Sequence, residues 1–446
     1  MQPNTLLDAL LAEAGISNAG LAARVNAAGR GRGLALRYEH TAVARWLKGQ
    51  RPRGQVPDLI CEVLGARLGR ALGLDDIGLG LPGAPADPGP SPLSGFVDRA
   101  TALWRADEQG RVPVPGAAAV TGTPAVIPVW EWENPPEDGD VSRSGPTPVG
   151  PEHLEVLRAA RVHYELMYRR AGGMATRARI VRFLGSETAP LLRGSYPDAL
   201  GRQLHRATGS LVAVAGICAY DSDAHGLAQR YFHQALRLAK ASGDRGLGAY
   251  VIALIVNQSL HLREYRQAVA FAEAALRAAG EHTTAALAAD LYAMQAKAYA
   301  QLGDGSTALD CIRRAEQAAG RIRPGSEPAE TGYVQPGLVN VQVAQALLSL
   351  GDLPGAYEQA AAAAATPAHD RGRVHRLAML CEVELRLGEP DRALAAAAEM
   401  AERARGMESR RLRERLSTVR AGLLGSGSAE ARRTAELIDG ALRVPL

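Results

Sequence analysis

Apolar positions in the first 80 residues recur at helical spacing and predict a compact bundle of short helices. Val43, Trp46 and Leu47 share one face of the central helix and are assigned to its core side. Gly15 is predicted to end the first helix and Gly49 the third. The pattern predicts four helices and a short fifth, at about residues 5–14, 18–26, 39–48, 58–64 and 74–77. A small helical domain is therefore predicted over residues 1–80.

The composition changes over residues 81–150, where proline and glycine interrupt the helical pattern. Fourteen of the chain's 26 prolines fall between Leu81 and Pro151, so most of this segment is predicted to be a linker. Apolar spacing predicts one short amphipathic helix within it, over 96–108. The segment 126–132, VIPVWEW, carries two tryptophans that favour burial. We interpret it as an extended arm that docks on a folded domain or on a partner subunit.

Residues 151–446 are helical in pattern, rich in alanine and internally repeated. Five segments, with successive spacings of 40, 40, 48 and 37 residues, align on Ala228, Ala268, Ala308, Ala356 and Ala393. The last three follow QLGD, SLGD and RLGE, a helix end before a tight acidic turn. Each unit is predicted to be a helix pair, and pairs that cannot bury their own apolar faces stack into an α-solenoid. The whole chain is therefore predicted to be all-α.

Charge is unevenly distributed along the chain. The net charge is only +4, yet the stretch from Arg24 to Arg53 carries eight basic side chains and one acidic side chain, Glu39. A local excess of this kind on a nearly neutral protein indicates a polyanion as partner. Alternatively, these arginines form an ordinary solvated surface.

Motifs for catalysis and metal binding are not found in the sequence. It lacks GxxxxGK[ST], HExxH and GxSxG, and its ten histidines show no metal-ligand spacing, so we expect no enzyme, no metal and no cofactor. Four cysteines lie far apart in apolar helices and are expected to be buried thiols: Cys61, Cys218, Cys311 and Cys381. The N-terminus has no basic leader and no apolar window is long enough to span a bilayer. We expect a cytoplasmic protein that is not bound to a membrane.

The first 80 residues resemble the lambda-repressor-like, XRE-type helix-turn-helix domain. The resemblance rests on LAARVN as scaffold helix, HTAVARWLKGQRP as recognition helix, and the helix after Pro57. The repeats resemble tetratricopeptide repeats, with spacings longer than the usual ~34 residues. Together with ALGLDDIGLG and IPVWEWE, the chain looks like actinobacterial regulators of development and antibiotic production. The resemblance implies a DNA-binding transcriptional regulator, with repression as the family-level expectation.

The resemblance also implies roles for the basic segment, because the start of a recognition helix meets base edges and the loop after it touches the backbone. The base-contact candidates are Arg37, Tyr38, His40, Thr41 and Arg45. The phosphate-contact candidates are Arg30, Arg32, Lys48, Arg51 and Arg53. Thr41 is alternatively a helix cap. In one departure from the family, roughly ten residues follow Asn26 before the recognition helix instead of three or four, and this insertion is expected to form a mobile basic loop.

A solenoid of this type has a concave groove, in which extended peptides often bind. Side-chain amides in apolar helices can pair with a peptide backbone. The candidates are Asn257, Gln258, Gln295, Asn340 and Gln342. By analogy with the peptide-pheromone receptors of low-GC Gram-positive bacteria, the repeats are expected to sense a peptide or small-molecule effector or to mediate dimerisation. Alternatively, the amides bond to neighbouring helix ends or to water.

The leading interpretation is a sequence-specific regulator that binds double-stranded DNA as a homodimer, since one small domain seldom binds a site tightly alone. The alternative is a repeat-protein scaffold whose N-terminal domain binds another protein. The density of positive charge from Arg24 to Arg53 favours DNA.

Overall fold

Most of the residues that the structure describes lie in helices. The computed structural model describes residues 4–31, 34–50, 52, 54–68, 72–74, 76–79, 93–110, 119–134, 138–323 and 325–442. These residues contain no β-strand, and two isolated bridges pair Arg143 with Tyr196 and Pro148 with Ser195. The predicted all-α class is confirmed.

The helices in chain order are α1 (Thr5–Ala14), α2 (Asn18–Gly31), α3 (His40–Leu47), α4 (Val56–Leu68), α5 (Leu93–Glu108), α6 (Thr123–Glu133), α7 (Pro151–Ala171), α8 (Gly173–Phe183), α9 (Ala189–Leu192), α10 (Asp198–Asp221), α11 (His225–Ser242), α12 (Arg245–His261), α13 (Tyr265–Ala279), α14 (Ala285–Leu302), α15 (Gly305–Ala319), α16 (Pro336–Leu350), α17 (Leu353–Ala365), α18 (Asp370–Arg386), α19 (Pro390–Ala404), α20 (Arg410–Gly425) and α21 (Ala429–Leu442). A π-helical turn, Leu184–Thr188, joins α8 to α9, and a 3-10 turn, Gly280–His282, follows α13.

The chain divides into two compact units, which we name the N-terminal unit (Met1–Ala106) and the repeat unit (Asp107–Leu446). The N-terminal unit has its own core, built from α1 to α4 around buried side chains such as Leu21, Trp46 and Leu59. The short helix predicted at 96–108 within the 81–150 segment is confirmed as α5, which begins three residues earlier, and the same segment also contains α6.

Asn4 connects three parts of the N-terminal unit. Its side chain accepts a hydrogen bond from Leu7 N (3.1 Å) and caps α1. The same amide donates to Ile77 O (2.9 Å), and the Asn4 backbone N–H donates to Leu47 O at the end of α3 (2.7 Å). The described residues around Ile77 form turns, so the predicted short fifth helix is wrong. Gly78 ends the turn with a φ of +66°, which helices do not use.

The insertion before the third helix is partly helical. α2 continues to Gly31 and therefore passes the end predicted at Asn26. The connector then packs back on α2, because Leu34 N donates to Gly29 O (2.9 Å) and a Cβ on Gly29 would lie 2.6 Å from Leu36 Cδ1. Leu34 and Leu36 both pack against the core of the unit. The expected mobile loop is thus replaced, in the described residues, by a segment held by apolar contacts.

Helix pairs stack side by side in the repeat unit. The pairs run from α10–α11 to α20–α21, and the first helix of each pair contacts the first helix of the next. Each aligned alanine is the fourth residue of the second helix in its pair and has no exposed surface. A side chain that ends at Cβ lets two helices approach closely, which explains why the repeat is marked by alanine.

The acidic turns of the repeats also have a physical basis. Gly303 and Gly351 end their helices with φ values of +81° and +83°, in the left-handed region that favours glycine. Asp304 and Asp352 then cap the next helices by accepting backbone hydrogen bonds at 3.1 and 3.0 Å. The predicted helix end and tight acidic turn are confirmed at both positions.

The arm predicted to be extended over 126–132 is instead part of helix α6. Pro128 lies inside this helix and removes one backbone hydrogen bond, which is why the local sequence favours an extended chain. Ala125, Val129 and Trp132 recur at helical spacing, are buried, and belong to a helix that packs against α11 and α13. Burial of this face outweighs the lost hydrogen bond. The segment therefore packs on α11 and α13 of its own chain, within the repeat unit.

α7 lies across the first helices of the pairs. It contacts α10 near one end of the array and α18 near the other. Arg371 of α18 stacks over the Tyr168 ring of α7 (4.6 Å), and Arg161 of α7 donates to Ala329 O (3.1 Å) in the segment before α16.

Candidate nucleic-acid interface and repeat-unit sites

α3 presents a polar stripe on the N-terminal unit. Val43 and Trp46 on its inner side are buried in the core. Thr41, Arg45 and Lys48 recur at i, i+4 and i+7 and are exposed on the other side. A helix with this division can lie in the major groove of DNA with polar side chains directed at base edges.

Two hydrogen bonds fix the start of α3. The Asn26 amide of α2 donates to Tyr38 O (2.8 Å) and accepts from Tyr38 N (2.9 Å). The Tyr38 ring packs edge-on against Trp46, with ring centroids 5.1 Å apart. The sequence marks Tyr38 only as a base-contact candidate, and the amide of Asn26, at the end predicted for the second helix, is the signal that points to the clamp. α3 is therefore positioned by α2 rather than by its connector.

The remaining base-contact candidates lie around the first turn of α3. Arg37, His40 and Thr41 are all exposed. Glu39 occupies the N-cap position and its side chain makes no capping hydrogen bond, so the alternative of Thr41 as helix cap is wrong. Arg45 lies in the last turn of α3, so the exposed candidates extend from the first turn of the helix to its end.

Basic side chains dominate the surface around α3. Arg24, Arg30, Arg37, Arg45 and Lys48 are exposed, and within the described ranges none of them forms an ion pair. Unpaired surface cations favour a polyanion, because each phosphate that they neutralise releases a counterion. The other phosphate-contact candidates lie outside the described residues: Arg32, Arg51 and Arg53.

The predicted groove amides of the repeat unit do not converge on one surface. Gln258 is buried and donates to His225 O (2.8 Å), while its neighbour Asn257 is exposed. Asn340 donates to Gln359 Oε1 (2.6 Å). The side chains of Gln258 and Asn340 therefore form hydrogen bonds between neighbouring helices. This agrees with the alternative that these amides bond to neighbouring helices rather than to a ligand.

Gln342 belongs to a buried polar group centred on Asp290. It donates to Asp290 Oδ1, and Tyr333 Oη donates to Asp290 Oδ2 (2.6 Å). Burial raises the pKa of the Asp290 carboxyl, and the hydrogen bonds from Tyr333 and Gln342 partly oppose that rise. The group ties α14 to α16, so Gln342 also has a structural role.

Gln295 lines a cavity of about 300 Å³ between α13, α14 and α15. Tyr292 and Tyr299 supply aromatic surface, and Arg314 lies over the Tyr292 ring at 5.8 Å. Side chains of both charges complete the lining: Glu273, Arg277 and Asp310. This space is an open depression in the surface, and its amide, aromatic rings and charges of both signs are groups that can orient a small ligand.

A buried ion pair joins distant parts of the repeat unit. Asp221 at the end of α10 is fully buried and accepts hydrogen bonds from Gly173 N and Ser409 Oγ, each at 2.7 Å. Arg371 of α18 pairs with the same carboxylate. Both oxygens of the Asp221 carboxylate are thus occupied by groups of the protein. The arrangement is structural, because it joins segments that are far apart in the chain.

The four cysteines are buried thiols and none of them is in a disulfide. Burial raises the pKa of the Cys311 thiol to about 11 and that of the Cys381 thiol to about 12. A thiol with such a pKa stays protonated at neutral pH and is a poor nucleophile. These residues act as small apolar side chains.

The N-terminal unit is similar to a known domain family, since residues 7–80 match the model of the SP15 N-terminal domain. The match covers α1 to α4 and the turns that follow, and thus the whole candidate interface. No curated protein matches the chain. Among the described residues no single helix is long and apolar enough to cross a membrane, although the bent pair α1–α2 passes the same test by length and composition.

Proposed function

We propose that this chain is a sequence-specific DNA-binding transcriptional regulator in which α3 enters the major groove. The observation that carries the proposal is the exposed stripe of Thr41, Arg45 and Lys48 on a helix whose opposite face is buried. Arg45 has the geometry to bind guanine with two hydrogen bonds, which is the commonest specific contact in the major groove. Arg30 and Lys48 bind phosphates.

The charge around α3 favours DNA over a protein partner. Protein interfaces are depleted in Lys, Glu and Asp but enriched in Arg, so it is the single sign of the charge, rather than the arginines themselves, that favours DNA. Here the centre of the exposed surface holds Arg37, Arg45 and Lys48, and these make no ion pair with the described part of the chain. A scaffold that binds a protein through this domain is the competing function.

The repeat unit is inferred to sense an effector or to hold two copies together. The observation that supports an effector is the cavity beside Gln295. Binding between α13 and α15 would alter the stacking of neighbouring pairs, and a dimer would carry that change to the spacing of two DNA-binding units. The proposal places the protein in the cytoplasm, as a homodimer that acts as a repressor.

Salt dependence of duplex binding tests the DNA proposal. Anisotropy of a labelled nonspecific duplex is expected to give a log–log slope near −3.6 per subunit if about four phosphates are contacted, at about 0.9 per contact. Lys48→Ala is expected to reduce the slope by about 0.9.

Arg266→Ala is the matched control, because Arg266 is an exposed arginine on α13 and its loss changes net charge equally. The slope of that variant is expected to equal that of the unmodified protein. Weak binding that does not change with salt would reject the DNA function and favour the scaffold.

A further inference from the structure

Three side chains with metal-binding atoms meet in the repeat unit. Asp223 lies in the turn between α10 and α11, His225 begins α11, and His261 ends α12. One potential ligand atom from each residue lies within 4.8 Å of the other two. His225 Nε2 is 2.8 Å from Asp223 Oδ1, and the two imidazole centroids are 4.8 Å apart.

The three residues are held by ordered helix ends. Asp223 adopts a φ of +64°, a left-handed conformation that few side chains take and that Asp tolerates best together with Asn. The amide of Gln258 on α12 donates to His225 O (2.8 Å), which fixes the end of α12 against the start of α11. The histidines, 36 positions apart, are thus brought together by packing between two pairs.

Imidazole nitrogens are common ligands of transition-metal ions, and each of the two rings has one nitrogen within reach of the other two residues. Buried His225 Nδ1 also has no hydrogen-bond partner in the described chain.

We propose that Asp223, His225 and His261 form a binding site for a divalent transition-metal ion of the Zn²⁺ type. Two imidazoles and one carboxylate are a donor set that Zn²⁺ accepts when a fourth position stays open to water or another ligand. The site lies in the repeat unit and is independent of the contacts of α3 with DNA.

Charges on α20 set the strength of this site. Arg411 and Arg415 repel a cation, and they are the positive charges that act on His261. Asp223 and Glu414 act in the opposite direction on His225. Because cationic side chains lie near the ligands, the site is expected to bind Zn²⁺ more weakly than a structural site made of thiolates. Bound metal would link the turn after α10 to the end of α12.

Titration of tag-free, chelator-stripped full-length protein with Zn²⁺ tests the proposal by calorimetry. One ion per chain is expected, with a rise in melting temperature and with the visible bands of a low-coordinate complex when Co²⁺ replaces Zn²⁺. His261→Ala is expected to weaken binding by more than about tenfold, since changes outside the ligand set already cost metal sites ~10–100-fold.

His163→Ala is the matched control, because His163 is exposed on α7 and is expected to leave binding unchanged. Asp223→Asn keeps the side-chain shape, so it is expected to weaken binding while circular dichroism stays unchanged. Unmodified protein that binds no Zn²⁺ would overturn the proposal. Equal affinity and stoichiometry in the Asp223→Asn and His261→Ala variants would overturn it as well.

Discussion

Gly248 in α12 faces the indole of Trp132, and a Cβ at this position would lie 2.1 Å from Trp132 Nε1. Arg245 covers the same ring at 5.5 Å and donates to Trp132 O (2.9 Å). The docking of α6 thus requires that residue 248 has no side chain, and it is also supported by the contacts of Arg245. The sequence indicates that Trp132 is buried, but its partner glycine lies 116 positions away and becomes visible only through packing.

Gly248→Ala is expected to destabilise the repeat unit by about 1–3 kcal/mol, because overpacking in a filled site outweighs the helix preference of alanine. Urea unfolding followed by circular dichroism measures the change. Gly440→Ala in α21 is the matched control, since nothing lies within 4 Å of a Cβ there and the variant should be neutral or slightly stabilised. Equal stability of the two variants would contradict the packing described for α6.

Asp221→Ala is expected to destabilise the repeat unit by about 3–5 kcal/mol, because it leaves the guanidinium of Arg371 buried without its carboxylate. The same unfolding measurement applies. Asp310→Ala is the comparison, since the Asp310–Arg313 pair is exposed and its loss should cost less than about 1 kcal/mol. A small effect at Asp221 would show that the buried pair does not hold the distant segments together.

At the scale of elements, α3 and α6 mark what local sequence can and cannot predict. α3 was predicted within one residue at each end, because its apolar stripe and its glycine stop are local signals. The prediction of an extended arm at α6 was wrong. The local signal of Pro128 opposes a helix, but contacts with α11 and α13 stabilise one there. α2 was predicted too short for a related reason. Its last residues are stabilised by Leu34 and Leu36, which follow the helix in the chain and pack against the core.

Asn26→Ala is expected to lower the free energy of unfolding of the N-terminal unit by about 1–3 kcal/mol, since two hydrogen bonds to the Tyr38 backbone are lost. Amide exchange across α3 should accelerate, because its first turn loses its clamp. Hydrogen exchange with mass spectrometry resolves both effects. Asn257→Ala, at an exposed position in α12, is the control that should leave exchange unchanged. Unaltered exchange in α3 after Asn26→Ala would contradict the clamp.

At the scale of the whole molecule, the sequence predicts the repeats but not the contacts that join segments far apart in the chain. The alanine register recurs in the sequence, and each aligned alanine is buried at the same position of its helix. The placement of α7 depends on pairs such as Arg371 with Tyr168, and no local pattern reports a contact over that distance. The same limit applies to Asp223 and His261, which no spacing rule joins.

Acid is expected to destabilise the repeat unit through its buried histidines. Burial lowers the pKa of His205 and His233 to about 4, from about 6.5 in an unfolded chain. Between these values the unfolded chain binds protons that the folded chain does not, so stability is constant above about pH 6.5 and falls as the pH drops towards 4. His205, which is fully buried, contributes about 1.4 kcal/mol per pH unit in that window.

The dependence of melting temperature on pH checks this expectation. His205→Gln is expected to make that dependence shallower, because glutamine does not titrate. His163→Gln, at an exposed position, should leave the dependence as it is. A profile that is flat from neutral pH down to about 4 would contradict the burial of neutral histidines.

Selection of random duplex DNA on the purified full-length protein, followed by sequencing, tests the central claim most directly. The account predicts an enriched two-fold motif whose half-sites lie about one helical turn, ~10 base pairs, apart. Arg45→Ala should lose the motif and keep its fold, whereas the exposed control Arg266→Ala should retain the motif. A folded protein that enriches no motif, or an Arg45→Ala variant that selects the same motif, would contradict the assignment of α3 as the DNA-reading helix.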